Sequence, residues 1–572
     1  MGCIGGALGA VGRRERGNGT CAWEISASFG FGSDRSGETA MLGLMQNWPL
    51  TVDRIIDHAA RVHGRREIVT RRTDGLIHRS DYATLRARAR QVSAALRRLG
   101  IAMGDRVATL AWNSERHMEC WYGAMGIGAV LHTLNPRLHA DQLVWIARDA
   151  GSRVLVLDSD LISLIEPIRD RLPFEHYIII ADANGMPSST LGALSYEEWI
   201  AAAGHDTIWG GFDENTACGL CYTSGTTGNP KGVLYSHRSN TLHTMMVMAK
   251  GALGIGPDDV VMPVVPMFHA NAWGLAFACP AAGAKLVMPG GQLDGTSLYE
   301  LLDRERVTIT AAVPTVWLGL LHYLREHDLK LPYLERVIIG GSALPEAILR
   351  AFEEDYDVEV IQGWGMTETS PVGTISGVPA TIAEGEGLAH KLKQGRPPFG
   401  VELRVADDEN AEAPWDGATP GRLLIRGFAV AGGYWHGAGG DILDADGFFD
   451  TGDVATIDAH GAMQITDRAK DVIKSGGEWI SSIAIENIAL SHPAVANAAA
   501  IGVPHPKWDE RPVLIVETRP GAAVTEDELR AYLGGRIARW WMPDAFVFLD
   551  VIPLGATGKI DKRALRETIR NR

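Results

Sequence analysis

Between Tyr82 and Leu99 the apolar residues Tyr82, Leu85, Ala89, Val92, Leu96 and Leu99 recur every three or four positions, the period of a helix with one buried face. Ser80 stands where a cap is expected and Gly100 where the helix should stop. The pattern then changes to short continuous apolar runs: Val107–Ala111, Arg153–Leu157, Tyr177–Ala181, Lys285–Met288, Val307–Val313, Arg336–Ile339 and Val358–Ile361. Such runs read as strands buried on both faces, and helical segments separate several of them. Strands alternating with helices predict an α/β fold of mainly parallel, helix-covered sheets, with ligands gathering at the carboxyl ends of the strands.

From Lys470 the pattern restarts. A strand Val472–Lys474, a Gly476-Gly477 turn, a helix near Ile483–Leu490, strands Val495–Ile501 and Val513–Val516 and a helix Glu526–Leu533 predict a separate small α/β lobe. The expected division is a large domain over 41–469 and a small mobile one over 470–572. Residues 1–40 differ from both: rich in Gly, Ser and Arg and without an apolar period, they predict a disordered extension. Gly2 invites a myristoylation reading, but Gly6 stands where Ser or Thr is wanted. The short apolar piece before Arg13 precedes its charges, the wrong order for a secretory signal.

Composition narrows the picture. A chain of 572 residues should hold two or more cores, and 46% hydrophobic with 22% charged residues is the balance of a globular protein. A net charge of −15 argues against nucleic acid as a partner and makes any polyanion depend on a few local cations. The longest uncharged run, Val260 to Ala284, contains Pro263, Pro266, His269, Asn271 and Pro280, which suits a core and not a transmembrane segment. Six scattered cysteines point to a reducing, cytoplasmic setting. Cys218 and Cys221 form a C-x-x-C with no second pair or histidine cluster nearby in sequence, so packing is expected of them. Oligomeric state is not legible, and a homodimer stays open.

The densest chemistry lies in Tyr222–Gly232, YTSGTTGNPKG, which follows the apolar run from Ala217. Thr223, Ser224, Gly225, Thr226, Thr227 and Gly228 offer hydroxyls and close backbone approach, and Lys231 a mobile charge, all suited to phosphate oxygens. It is not a Walker A loop, because Pro230 precedes the lysine and Gly232 follows it. The stretch resembles the phosphate-binding loop of the adenylate-forming superfamily, which includes acyl-CoA synthetases, peptide-synthetase adenylation domains and beetle luciferases.

Further motifs come in that family's order. Taken alone, His269 in Pro266-Met267-Phe268-His269 reads as a core residue; by resemblance it becomes a candidate contact for the carboxylate or acyl pocket, with Trp273 one turn later. Val313-Pro314-Thr315 and Gly340-Gly341-Ser342-Ala343 are similar to turns that wall the acyl and adenine sites, which makes Gly341 and Ser342 binding candidates. In Gln362-Gly363-Trp364-Gly365-Met366-Thr367-Glu368-Thr369, expected just after a strand, Trp364 offers a flat face to a purine, Thr367 a donor to phosphate and Glu368 a hard oxygen for Mg²⁺. The family usually has Tyr at the Trp364 position. Asp453, in Asp450-Thr451-Gly452-Asp453, matches the family's ribose-hydroxyl acceptor, and Arg468 would supply a matching donor.

The resemblance implies an acyl-CoA synthetase that takes a small carboxylic acid, ATP and CoA, most like ligases for medium-chain fatty acids or methylmercaptopropionate. It places Mg²⁺ on Glu368 and Thr223, sets Lys559 over the carboxylate and α-phosphate, and makes Lys470 a hinge. Turning there presents Lys474, Gly476 and Gly477 to the pantetheine arm. His269, Lys231, Glu368 and Lys559 are the catalytic candidates. Three alternatives stay beside this reading: long-chain specificity, an adenylating enzyme with a non-CoA acceptor, and a catalytically dead nucleotide-binding scaffold.

Overall fold

The computed structural model describes residues 43–181, 185–223, 229–379, 381–383, 385–407, 409–468, 470–475, 478–555 and 560–570. The chain divides into Met1–Trp48 and Pro49–Arg572. Of the first unit only 43–48 are described, without helix or strand, so the extension expected over 1–40 lies outside the described residues. The second unit carries every described helix and strand.

Two helix-covered sheets dominate it. One has eight strands in the order Val372–Ile375, Glu359–Gly365, Arg336–Ile339, Ile309–Ala312, Val260–Pro263, Lys285–Met288, Glu67–Arg71, Ile77–Asp81. The inner strands are parallel and each end is closed by an antiparallel strand. The other has seven: Leu194–Ser195, His176–Ile180, Val154–Asp158, Arg106–Leu110, Val130–Thr133, Ala217–Tyr222, Gly232–Ser236, parallel up to the final hairpin.

The helix Glu115–Gly126 is buried along its whole length. Its aromatic side chains build the main core, with Trp121 and Phe277 ring centroids 5.5 Å apart. Truncating such a ring to alanine costs about 3–5 kcal/mol. Two buried polar residues of this helix are held on both sides, as burial requires. Glu119 accepts from Arg88 at 2.7 Å and from Tyr196 at 2.7 Å, while His117 sits between the Trp112 carbonyl and the Thr109 hydroxyl.

A third sheet, Val401–Ala406, Gly421–Gly427, Phe449–Ile457 and Met463–Arg468, is wholly antiparallel, which the apolar runs did not foretell. The last part is a small C-terminal α/β domain. Its strands Ile473–Ser475, Glu478–Ile480, Val495–His505, Asp509–Thr518 and Ala545–Phe548 form one sheet, joined by the helices Ser482–Leu490, Glu526–Leu533 and Lys562–Arg570. No helix among the described residues is long and apolar enough to cross a membrane.

Two local expectations are corrected. The Tyr82–Arg98 helix is capped by Asp81, whose carboxylate accepts from the Thr84 N–H at 2.8 Å, and not by Ser80, which lies in the preceding strand. The strand expected to end at Ile361 runs to Gly365, so Gln362, Gly363 and Trp364 lie within it and not after it. Its last residues pair with Val372–Ile375, which extends it.

Candidate active site

The ends of the Thr223 loop are tied together at the tip of the Ala217–Tyr222 strand. The Thr223 N–H donates to the Lys231 carbonyl at 2.9 Å, and the Lys231 N–H to the Thr223 hydroxyl at 3.2 Å. Ser224, Gly225, Thr226, Thr227 and Gly228 lie outside the described residues. The Lys231 ammonium stands over the Tyr434 ring, 4.7 Å from its centroid. The same Tyr434 donates its hydroxyl proton to Glu368 Oε1 at 2.6 Å. The Glu368 carbonyl accepts from the Ala431 N–H at 2.7 Å, so the segment ending at Tyr434 is docked on it twice. Burial pushes the Glu368 carboxyl up, against the downward pull of the Tyr434 bond and the charges of Lys231 and Arg468. Thr367 is next to it, its carbonyl accepting from Tyr235 Oη at 2.8 Å.

Trp364, Asp453 and Arg468 form one linked group. The Trp364 indole donates to Asp453 Oδ2 at 2.9 Å, and Arg468 Nε lies 3.2 Å from Asp453 Oδ1. Asp453 is buried and the arginine half-exposed, so the carboxylate is held by two donors from different strands. Gln362 is turned elsewhere: its buried amide faces the Leu392 and Lys393 carbonyls and the Gln394 amide.

Beyond the Val260–Pro263 strand the chain does something its sequence did not foretell. Ala270, Asn271, Ala272 and Trp273 have φ of 36°, 61°, 50° and 55°, and Gly274 comes next at 81°. This is a left-handed helical turn of four side-chain-bearing residues. Left-handed backbone costs about 1–2 kcal/mol per residue, so surrounding contacts must hold it. The turn throws Trp273 against the strand ends opposite. A Cβ on Gly340 would come 3.1 Å from the Trp273 ring and 3.0 Å from the Gly363 carbonyl. Gly341, at φ 84°, and the exposed Ser342 continue that wall. His269 opens the turn, its ring 4.9 Å from Phe268.

The small domain is latched to the end of the antiparallel sheet. Buried Asp467 accepts from both the N–H and the hydroxyl of Ser482, and Lys562 donates to the same hydroxyl at 2.7 Å. Lys470 is exposed between the two, with Arg566 bridging its carbonyl and the neighbouring Asp471 carboxylate. The Lys474 N–H donates to Glu510 at 3.0 Å. Gly476, Gly477 and Lys559 lie outside the described residues; Leu554 and Ile560 pair as an isolated antiparallel bridge.

Sequence reasoning gave no role to Tyr434 or Tyr235. For Tyr434 the one signal available was a tyrosine just after two glycines, Gly432 and Gly433. Among the described residues no group of three or more His, Cys, Asp or Glu side chains converges as a metal cage. The buried Glu368 carboxylate is nonetheless a hard oxygen donor that fits Mg²⁺, which takes one or two carboxylates and completes its shell with phosphate and water.

Mainly parallel helix-covered sheets with a buried carboxylate near their carboxyl ends, followed by a small second domain, are the architecture of an adenylate-forming class of enzyme. The model of the AMP-binding enzyme family matches residues 56–435, and that of the AMP-binding enzyme C-terminal domain residues 484–559. The chain belongs to the AMP-binding enzyme family. It is 48% identical over 539 residues to the 3-methylmercaptopropionyl-CoA ligase of Ruegeria lacuscaerulensis, covering 93% of this chain and 99% of that one. To the medium-chain-fatty-acid–CoA ligase of Ectopseudomonas oleovorans it is 45% identical over 532 residues, covering 92% and 97%. Among solved structures, an anthranilate CoA ligase in complex with anthranoyl-AMP superposes with a TM-score of 0.81 at 26% identity, covering 92% of this chain and 99% of the other. The ATP-bound MatB of Rhodopseudomonas palustris superposes with a TM-score of 0.78 at 25% identity, covering 91% and 99%. The protein is an AMP-forming acid–CoA ligase using ATP and CoA.

Proposed function

We propose that this ligase acts on a medium-chain fatty acid or 3-methylmercaptopropionate, and that Lys231, Glu368, His269 and Lys559 are its catalytic groups. The arrangement that carries this reading is Tyr434, whose ring face lies against the Lys231 ammonium while its hydroxyl holds the Glu368 carboxylate, so that one side chain positions both a cation and a carboxylate. In this reading Lys231 faces phosphate and Glu368 keeps a carboxylate oxygen for a metal ion. The substrate class rests on the relatives' names together with the Trp273 and Gly340 wall of the acid pocket.

The chemistry brings a carboxylate to a triphosphate, so the site's first task is to offset repulsion. A carboxylate oxygen attacks the α-phosphorus of ATP, the bond to pyrophosphate breaks, and acyl-AMP forms. Lys231 and Lys559 lower the repulsion, and His269 meets the acid. Thr223 to Gly228, with Thr367, hold the phosphates; Asp453 takes the ribose hydroxyls beside Arg468; Gly341, Ser342, Gly363 and Trp364 wall the adenine. Gln362 supports that wall through its strand, since its amide is engaged elsewhere. Mg²⁺ held by Glu368 and Thr223 would neutralise phosphate charge.

The thiolate sulfur of CoA then attacks the acyl carbon, AMP leaves with the bonding pair, and the thiol proton passes to solvent. In this reading the small domain begins at Lys470 and turns there between steps, bringing Lys474, Gly476 and Gly477 to the pantetheine arm. The four described cysteines are free and buried, which suits a reducing, cytoplasmic setting.

A panel of acids from acetate to palmitate, with 3-methylmercaptopropionate, tests the proposal by pyrophosphate release and by mass spectrometry of the thioester. Best turnover is expected with octanoate or 3-methylmercaptopropionate. Best turnover on palmitate would overturn the substrate, and pyrophosphate release without thioester would overturn CoA as acceptor.

A further inference from the structure

The left-handed turn Ala270–Trp273 needs an external brace, and the braces converge on the Cys218-x-x-Cys221 pair. A buried backbone N–H must find an acceptor. Those of Ala270 and Asn271 face the Cys221 thiol, which also meets the Thr133 hydroxyl at 3.3 Å and the Tyr235 hydroxyl. The Asn271 side chain donates to Asn240 Oδ1 at 3.2 Å, and Asn240 Nδ2 donates to Cys218 Sγ at 3.2 Å. Asn240, Asn271, Cys218 and Cys221 are all 3% exposed or less. The opposite flank of the turn is pressed on His243, since a Cβ on Gly274 would come 2.7 Å from that ring.

The two thiols therefore grip the same turn by different routes, one directly at its backbone and one through two amides. Sulfur is a large, soft acceptor, able to serve several donors at once where an oxygen on a shorter bond reaches fewer. Cys221 also stands two residues before Thr223, and Tyr235 passes from it to the Thr367 carbonyl at 2.8 Å. The brace is thus continuous with the nucleotide loop on one side and with the acid pocket on the other.

We propose that Cys221, Cys218 and Asn240 are positioning residues for acid selectivity: they hold the left-handed turn, and through it fix the Trp273 ring as the wall of the acid pocket. This rests on the reading that Trp273 bounds that pocket.

The test compares kcat/KM for butanoate and octanoate in the full-length enzyme and in Asn271→Gly, Asn271→Ala, Cys221→Ala, Cys221→Ser and Trp273→Ala, each with its melting temperature. Glycine adopts the left-handed backbone without penalty, so Asn271→Gly keeps the turn and loses only the amide anchor. Asn271→Gly and Cys221→Ala are expected to change the butanoate-to-octanoate ratio by about fivefold or more, with the KM for CoA unmoved, and Cys221→Ser to restore part of the change. A ratio within about twofold of the parent in folded Asn271→Gly and Cys221→Ala, while Trp273→Ala shifts it, overturns the brace alone. A ratio that Trp273→Ala itself leaves unmoved overturns the pocket reading beneath it. Should Cys221→Ala fail to fold, Asn271→Gly decides.

Discussion

Tyr434 holds Glu368 by a 2.6 Å hydrogen bond and at the same time carries the Lys231 ammonium 4.7 Å above its ring centroid. One side chain thereby sets the positions of an anion and a cation that come from distant parts of the chain. A hydrogen bond to a charged group is worth about 1.5–3 kcal/mol. Tyr434→Phe keeps the ring under Lys231 but removes that bond. Pyrophosphate release is expected to slow about ten- to hundredfold, while supplied acyl-AMP and CoA give thioester at the parent rate. Equal slowing of both steps would show that the tyrosine serves the fold.

Asp453 is held by Trp364 and Arg468 at once. Asp453→Asn keeps an acceptor for the indole and loses the charge that attracts the guanidinium. The KM for ATP is expected to rise about tenfold or more, with the KM for the acid unchanged. Initial rates with each substrate varied in turn decide it; a rise confined to the acid would remove Asp453 from the ribose site.

Variants at Lys559 and Lys470 are expected to separate the two half-reactions. Lys559→Ala should cost acyl-AMP formation roughly 3–4 kcal/mol, the scale of a lost oxyanion donor, and leave conversion of supplied acyl-AMP nearly intact. Lys470→Pro should do the reverse, since a fixed φ stiffens the turn between Asp467 and Ser482. Synthetic acyl-adenylate and pyrophosphate release measure both steps. Equal damage to each step in each variant would end the alternating mechanism.

Acid should destabilise the fold through buried histidines. Burial lowers His117 to about 4 and His132, His237 and His243 to about 3. Unfolded, each takes up a proton below about pH 6.5, so the unfolded chain binds more protons and stability falls as pH drops from there toward those lowered values. Glu119 and Asp158, both raised to about 7 by burial, oppose this, because they hold protons in the fold that the unfolded chain releases. One histidine can be isolated. His132→Gln should gain about 1.4 kcal/mol on the parent between about pH 7.5 and 5.5, read from urea midpoints at both values. A difference independent of pH would mean that His132 is protonated in the fold.

Much of the architecture was written in the apolar runs, because strands buried on both faces leave no alternation to misread. Lys285–Met288, Arg336–Ile339 and Glu526–Leu533 have the bounds expected of them. The antiparallel sheet over Val401–Arg468 was not legible, since its strands are half-exposed and broken by charged residues. The partnership of Tyr434 with Glu368 spans sixty-six positions, and no local pattern announces it. The left-handed turn was hidden for a different reason. Ala270-Asn271-Ala272-Trp273 contains no glycine, and its alanines favour an ordinary right-handed helix. Tertiary contacts at Cys221 and Asn240 overrode that preference.

That turn also bears on how the acid specificity of such an enzyme can drift over generations. At Ala270, Asn271 and Ala272, with φ between 36° and 61°, any residue but glycine bears the cost of left-handed backbone, and a β-branched or bulky one adds to it. In the proposed reading, this side of the pocket therefore accepts few side-chain shapes. The facing side is not uniformly so restricted. Gly340 lacks a positive φ, but a Cβ there would press 3.0 Å on the Gly363 carbonyl and 3.1 Å on the Trp273 ring, whereas Ser342 close by is exposed and has no positive φ. With the acid pocket as proposed, new acid preferences should arise at positions of that wall free of such limits, in lineages and in laboratory selections alike, while the turn persists as a fixed surface against which they are fitted.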